Sequence, residues 1–323
     1  MTSFLSFSAV SARPIPSAFS LKPHSFQFQT PTPTLHFKPN RFAIRSNYAD
    51  AGVRDDSSSN TIDVVADVRS ERIVVLGGSG FVGSAICKAA ISKGIEVISI
   101  SRSGRTTYPG EWVDQVTWLS GMLLKPYTNQ NISCIRDVFY VNWDEVLVGA
   151  TAVVSTLGGF GSEDHMRRIN GEANIVAVNA AKKYGIPKFI LISVHDYNLP
   201  PLLLTSGYLS VYLRGKRKAE SEVLSKYPSS GIVLRPRFIY GKRRVGDYEI
   251  PLDLIGEPVE RFLKAIENFT KPLSSLTASD LILAPPVSVD DVASAVINGV
   301  THDDFFGIFT IHQIKEAAEI LRA

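Results

Sequence analysis

The stretch that most restricts how this chain folds is Val74-Val75-Leu76-Gly77-Gly78-Ser79-Gly80-Phe81-Val82-Gly83. A short β-branched run passes straight into glycines and then into a helical pattern. Gly77 permits the tight turn, Gly80 lets backbone approach a bulky anion, and Gly83 lets the helix lie close on the strand. The free amides of the first helical turn would then face a pyrophosphate. A glycine triplet alone is weak evidence. Here it opens the first strand–helix unit and a second strand follows at the expected distance. The expectation is a dinucleotide cradle built from Gly77, Gly78, Ser79, Gly80, Phe81, Val82 and Gly83.

Downstream, apolar runs without alternation recur between amphipathic stretches. The pattern predicts strands at 73–76, 95–100, 116–119, 152–157, 189–193 and 232–235. Helices are expected over 81–93, about 136–148, 164–184 and 209–226. Such runs argue for strands buried on both faces, hence a Rossmann-like, doubly wound parallel α/β sheet with helices on both sides. After Tyr240 the rhythm breaks. An amphipathic segment at 259–269 lies between Pro258 and Pro272, followed by a helix at 290–300, a strand at 308–311 and a terminal helix. Residues 70–323 therefore read as one nucleotide-binding domain, with a small lobe at about 242–323 packed on the sheet's C-terminal edge.

The second strand bears on which dinucleotide. An acid at its end would bond a ribose 2′-hydroxyl. This chain ends that strand with Ser99-Ile100-Ser101-Arg102-Ser103-Gly104-Arg105, which offers no carboxylate. Arg102 and Ser103 suit a 2′-phosphate, because a guanidinium fork matches phosphate oxygens. NADP(H) is therefore expected over NAD(H), although an arginine at a strand end also serves simply as a solvated side chain.

Charge is unevenly placed. Residues 1–48 hold five basic residues (Arg13, Lys22, Lys38, Arg41, Arg45) and no acid. Of 34 basic residues, 29 remain beyond them, against 31 acids, so no basic surface for nucleic acid is indicated. The leader is rich in Ser, Thr and Pro and lacks a continuous apolar core. It reads as a chloroplast transit peptide over residues 1–60 with its linker, Asp55-Asp56-Ser57-Ser58-Ser59-Asn60. The same composition fits a Pro-rich tail with no address. Cys87 and Cys134 form neither a disulfide framework nor a metal-like spacing, so no metal is expected.

With these features in place, residues 71–323 resemble the short-chain dehydrogenase/reductase superfamily in its atypical branch. The glycine loop looks like that branch's cofactor motif. Ser155-Thr156-Leu157-Gly158-Gly159 lies where its fourth strand meets the cofactor, which implies Leu157 and Gly158 as contacts. Tyr212-Leu213-Arg214-Gly215-Lys216 carries the Tyr-x-x-x-Lys pattern, with Glu220 following as in many extended members. Arg235-Pro236-Arg237-Phe238-Ile239-Tyr240-Gly241 resembles the segment that closes over the nicotinamide, which implies Pro236. The Tyr-Leu-Arg-Gly-Lys form is similar to complex I accessory-subunit relatives and to proteins associated with ubiquinone synthesis. Plastid relatives of that kind imply a plastoglobule setting.

Independently of resemblance, one helical turn puts Tyr212 and Lys216 on the same face. A lysine ammonium beside a phenol would lower the phenol's pKa and ready it for proton transfer. Spacing alone equally describes a core tyrosine next to an exposed run, Lys216-Arg217-Lys218. The family's serine or threonine after the fifth strand has two counterparts here, Ser193 and His195 in Ser193-Val194-His195-Asp196-Tyr197. Ser120-Gly121-Met122 departs from the usual Gly-Asp contact to adenine. The apolar loop at 199–208, with 258–283 as an opposite wall, would favour a lipophilic substrate or a lipid droplet or membrane surface. Two functions stay open. One is an NADPH-dependent oxidoreductase acting on a lipophilic carbonyl or prenylquinone, in the stroma or on the plastoglobule surface. The other is a non-catalytic, nucleotide-bound scaffold or sensor.

Overall fold

Strand β1 (Arg72–Leu76) buries Ile73 and Val75 toward one side and Val74 and Leu76 toward the other, which is why its sequence shows no polar alternation. The computed structural model describes residues 71–120, 138–200, 207–270, 276 and 279–322. The transit-peptide reading, Cys134, Gly121 and Met122, and most of the 199–208 loop lie outside the described residues.

Around β1 run β2 (Glu96–Ser101), β3 (Thr117–Ser120), β4 (Ala152–Ser155), β5 (Lys188–Ile192), β6 (Gly231–Leu234) and β11 (Gly307–Phe309). They form a seven-stranded sheet in the order β11-β6-β5-β4-β1-β2-β3, with every pairing parallel, while β7 (Ile239–Tyr240) and β10 (Val287–Ser288) pair with each other outside it. The chain winds outward from β1 to β3, then returns beside β1 at β4 and winds the other way. A crevice opens at the carboxyl ends of strands where the order reverses. Thr156 closes that junction, because its backbone N–H and its hydroxyl both donate to the Leu76 carbonyl, at 2.9 and 2.8 Å.

Helix α1 (Phe81–Ser92) covers one face together with α6 (Val289–Thr301) and α7 (Ile311–Arg322). The other face is covered by α3 (Ala173–Lys183) and α4 (Tyr208–Lys226), the former preceded by α2 (Glu163–Arg167). The tail joins the sheet at its edge. β11 extends the sheet itself, and α6 packs in the same layer as α1. Lys188 at the start of β5 fastens this part. Its ammonium donates to the carbonyls of Gly299, Val300 and His302 at 2.9–3.2 Å, capping the C-terminal end of α6.

Several expected boundaries differ. The stretch expected as a helix at 136–148 holds, among its described residues, only the turns Val138–Tyr140 and Trp143–Val146. The strand expected to reach residue 157 ends at Ser155, where Thr156 turns back onto Leu76. The strand expected at 308–311 ends at Phe309, and Ile311 already opens α7. The helix expected over 164–184 is broken by a π-turn at Arg168–Glu172. Helix α5 (Asp253–Ala265) starts before Pro258 instead of after it. The proline removes one amide donor facing Leu254, an exposed residue one turn back. A hairpin of β8 (Lys242–Val245) and β9 (Tyr248–Pro251) was not foreseen. Its signal is the two-residue Gly246-Asp247 turn, with Gly246 at φ 62°.

Candidate active site

The glycine loop leaves β1 at its carboxyl end, and Gly77 takes φ 86°. A side chain at Gly83 would fall 2.2 Å from the Gly77 carbonyl oxygen, so only glycine lets α1 lie this close to the loop. Gly78 serves packing in the same way. A Cβ there would meet the Ser99 hydroxyl at 2.2 Å and the buried Cys87 sulfur at 3.0 Å. Gly80 is exposed at the N-terminal cap of α1, which has no side-chain cap and no acid in its first turn. The amides of Phe81 and Val82 begin a helix whose first donors have no intrahelical acceptor. Among the described residues, no side chain caps this end and no acid lies in its first turn.

The loop meets the end of β2 directly. The Ser79 and Ser103 hydroxyls are 2.8 Å apart, and Thr106 donates to the Ser79 carbonyl at 3.3 Å. Arg102 is exposed beside them. A positive-φ turn, an uncapped helix start, paired hydroxyls and an exposed guanidinium fit the diphosphate and ribose end of a dinucleotide.

Across the crevice, the loop after β4 is held from behind. Asn170, in the π-turn, accepts from the Gly159 amide at 3.0 Å and donates to the Gly159 carbonyl at 2.9 Å. The π-turn lies against α4 at a point with no room for side chains. A Cβ on Gly215 would sit 3.0 Å from the Asn170 Cβ. This close approach carries Lys216 into the core. It is 3% exposed, whereas Lys218 faces solvent, so the exposed-run alternative fails for Lys216. Its ammonium donates to the Leu157 carbonyl at 2.8 Å and the Ile192 carbonyl at 2.9 Å. A Cβ on Gly158 would fall 2.9 Å from the Lys216 Nζ. Burial pulls the Lys216 pKa down to about 8, with nearby Glu220 opposing that shift.

Tyr212 is half-buried one turn earlier, beside Val194, Leu199 and Leu213, with its ring stacked on Phe160 at 4.7 Å and 16°. Its phenol does not behave as the spacing suggested. Burial raises it to about 12, with Tyr197 adding to the rise, and the cation that opposes this is Arg217. Lys216 is instead committed to the two strand-end carbonyls.

Ser193 and His195 part company in the structure. The Ser193 hydroxyl is buried and donates to the Glu220 carboxylate, so it is not free to orient a substrate. Glu220 also takes Arg217, and Arg235 at 2.5 Å. Arg217 continues to the Val194 and His195 carbonyls and to Asp196, each at 3.1 Å. The His195 amide donates to the carbonyl of buried Pro236 at 2.8 Å. His195 lines a cavity of about 460 Å³ that also meets Glu260, Leu263 and Lys264 of α5 and Ile311 and Lys315 of α7. Part of the 258–283 wall therefore faces His195. Leu199, in contrast, is core.

A family profile described as the NAD dependent epimerase/dehydratase family matches residues 73–305, from the first strand through the Tyr212/Lys216 helix and most of the tail. The chain belongs to that family. Over the full length of both proteins it is 61% identical to an uncharacterized chloroplastic protein of Arabidopsis thaliana. It is 25% identical to MIOREX complex component 2 of Saccharomyces cerevisiae, covering 76% of this chain and 99% of that protein. It is 28% identical to the 2-alkyl-3-oxoalkanoate reductase of Stenotrophomonas maltophilia, over 53% of this chain and 51% of that one. Among solved structures, the Bordetella bronchiseptica enzyme WbmH in complex with NAD+ aligns at 16% identity and TM-score 0.47, over 77% of this chain and 79% of that chain.

Sequence reasoning missed Asn170, Asn174 and Phe160. The asparagines had a signal, since two amides spaced i, i+4 interrupt an apolar helix face, and both are fully buried. Asn174 accepts from the Ser155 hydroxyl at 2.6 Å.

The Lys216 shift has a sign that can be measured. The folded protein releases this proton near pH 8, while the unfolded chain keeps it to the ordinary lysine value of 10.5. Between these values the unfolded state binds more protons, so the group's contribution to stability grows as pH rises. Denaturant unfolding of wild type and Lys216→Met at pH 7.5 and 9.5 should show the difference moving in favour of wild type at the higher pH. A difference that stays constant or moves the other way contradicts the assignment.

Proposed function

We propose that this protein is an NADPH-dependent oxidoreductase of the chloroplast that reduces a lipophilic carbonyl compound, prenylquinone-type compounds included. The observation that carries this reading is the meeting of three parts at the carboxyl ends of β1, β4 and β5: the acid-free glycine loop, the clamped loop after β4, and the Tyr212/Lys216 face of α4. Membership of a nicotinamide-dependent family supports the cofactor class. The choice of NADPH rests on Arg102 and on Ser103 beside Ser79. The chloroplast setting rests on the 61% identical chloroplastic relative and on the leader's composition.

In this reading Gly77, Gly78, Ser79, Gly80, Phe81, Val82 and Gly83 hold the pyrophosphate, and Leu157, Gly158, Lys216 and Pro236 bound the nicotinamide end. When bound, the dinucleotide supplies the hydride. Burial holds Tyr212 protonated with a pKa of about 12, so it carries a proton for a carbonyl oxygen but gives it as a weaker acid than a lysine-lowered phenol would. Lys216 fixes the floor of the site through the Leu157 and Ile192 carbonyls. His195 takes the oxygen-orienting role, since Ser193 is bonded to Glu220. That commitment of Ser193, and of Lys216 to backbone, also favours the second reading of a nucleotide-bound scaffold without turnover.

The substrate would arrive from a lipid surface. Helix α5 is amphipathic, yet Leu254, Ile255, Val259 and Phe262 of its apolar side are exposed, as are Phe269 and Ile282 nearby in sequence. Exposed basic residues Lys242, Arg243 and Lys264 accompany them and suit anionic headgroups, while Arg261 is paired with Glu257.

Each element has its own check. Arg102→Ala should weaken NADPH binding roughly 10- to 100-fold by fluorescence titration and leave NADH unchanged. An equal loss for both cofactors removes Arg102 from the 2′-phosphate. Tyr212→Phe should bind NADPH normally while turnover of a lipophilic ketone falls about 100-fold or more. Unimpaired turnover rejects Tyr212 as donor, and a wild type that holds NADPH but oxidises it with no plastid lipid fraction supports the scaffold. In flotation with vesicles containing anionic lipid, Phe262→Asp should reduce the bound fraction several-fold. Identical flotation of variant and wild type rules out this face.

A further inference from the structure

The aromatic ring on the loop after β4 stands apart from the rest of the site. Phe160 is 72% exposed, although its neighbours in the loop are tightly held. Gly159 is fixed through both backbone groups by Asn170, and Leu157 through its carbonyl by Lys216. A large apolar side chain is thus presented to solvent from a backbone with little freedom of its own. One side of the ring lies nearly parallel to Tyr212, with centroids 4.7 Å apart and planes 16° apart.

We infer that Phe160 is a specificity-determining residue that takes a flat, conjugated ring onto its exposed side, with Tyr212 backing it from behind. This deepens the proposed function, since it rests on Tyr212 marking the reacting end of the site. The physical basis is the quadrupole of the phenyl face. An offset π-surface gains stacking energy there beyond its buried area, while a saturated ring or alkyl chain gains the area alone. The loop composition fits that use. A Cβ at Gly159, next to Phe160, would meet nothing within 4 Å, so there is open space at that point of the loop, whereas Lys216 lies against Gly158 and His165 against Gly161. A compound stacked there is separated from Tyr212 by the Phe160 ring, so only a carbonyl that extends past the edge of that ring reaches the phenol.

The test compares two ketones that share a carbon skeleton: 2-acetylnaphthalene, which is flat, and its fully saturated decalin counterpart. Binding to the full chain is measured by equilibrium dialysis with saturating NADP+, so that the readout does not need turnover. Wild type should bind the naphthyl ketone about tenfold more tightly than the saturated one. Phe160→Leu should abolish that preference, mainly by weakening the naphthyl ketone, while Phe160→Trp should retain it. Because Phe160 is exposed, the thermal midpoint of both variants should match wild type, which separates a lost platform from a damaged fold. The inference is overturned if wild type shows no preference. It is also overturned if Phe160→Leu weakens both ketones equally, or if it weakens NADP+ and neither ketone. If the preference and its dependence on Phe160 are present but no ketone is ever reduced, the inference stands and the oxidoreductase reading falls.

Discussion

The buried ammonium of Lys216 is the contact on which the rest of the site depends. A charge so far from water is tolerated only when every proton finds an acceptor or an opposing charge lies near. Two strand-end carbonyls and the field of Glu220 meet that demand. In doing so they tie α4 to the ends of β4 and β5, on the side of the sheet opposite to α1. The cost of the buried charge shows in its lowered pKa, and the gain is a fixed crevice floor.

That floor requires close approach, and the close approach has its own structural origin. Gly171 and Gly215 let the π-turn and α4 come together where side chains would collide. The extra residue in the π-turn aims Asn170 at both backbone groups of Gly159. The loop that carries Leu157, Gly158 and Phe160 is therefore set by an asparagine and a lysine from two different helices. On the opposite wall, Glu220 collects Ser193, Arg217 and Arg235, and Arg217 holds the carbonyls of residues 194 and 195. His195 faces its cavity because a carboxylate one turn beyond Lys216 organises the strand-end loop behind it.

Comparison of expectation with structure follows the reach of each interaction. The glycine loop, the parallel strands and the Tyr/Lys pair are local patterns, and the sheet order agrees with the strands. The breaks were set by longer contacts. Packing of the π-turn against α4 divides a helix that its periodicity presents as continuous, and α5 runs through Pro258 with exposed Leu254 one turn before it. The tail's fate also depended on distant partners, since β11 gains its ladder only beside β6 and α6 gains its cap only from Lys188.

The sequence by itself determined the doubly wound α/β class, the glycine turn that leaves β1 and the absence of an acid at the end of β2, because each follows from residues within a few positions of one another. It could not decide the protonation logic of the site. Tyr212 and Lys216 share a helix face in any reading, but which of them meets water, carbonyls or another charge depends on segments up to 59 residues away. Tertiary structure turned Lys216 toward backbone, gave Ser193 to Glu220 and laid Phe160 over Tyr212. Desolvation and hydrogen bonding act through space, and those neighbours become visible only when the sheet has brought its strand ends together.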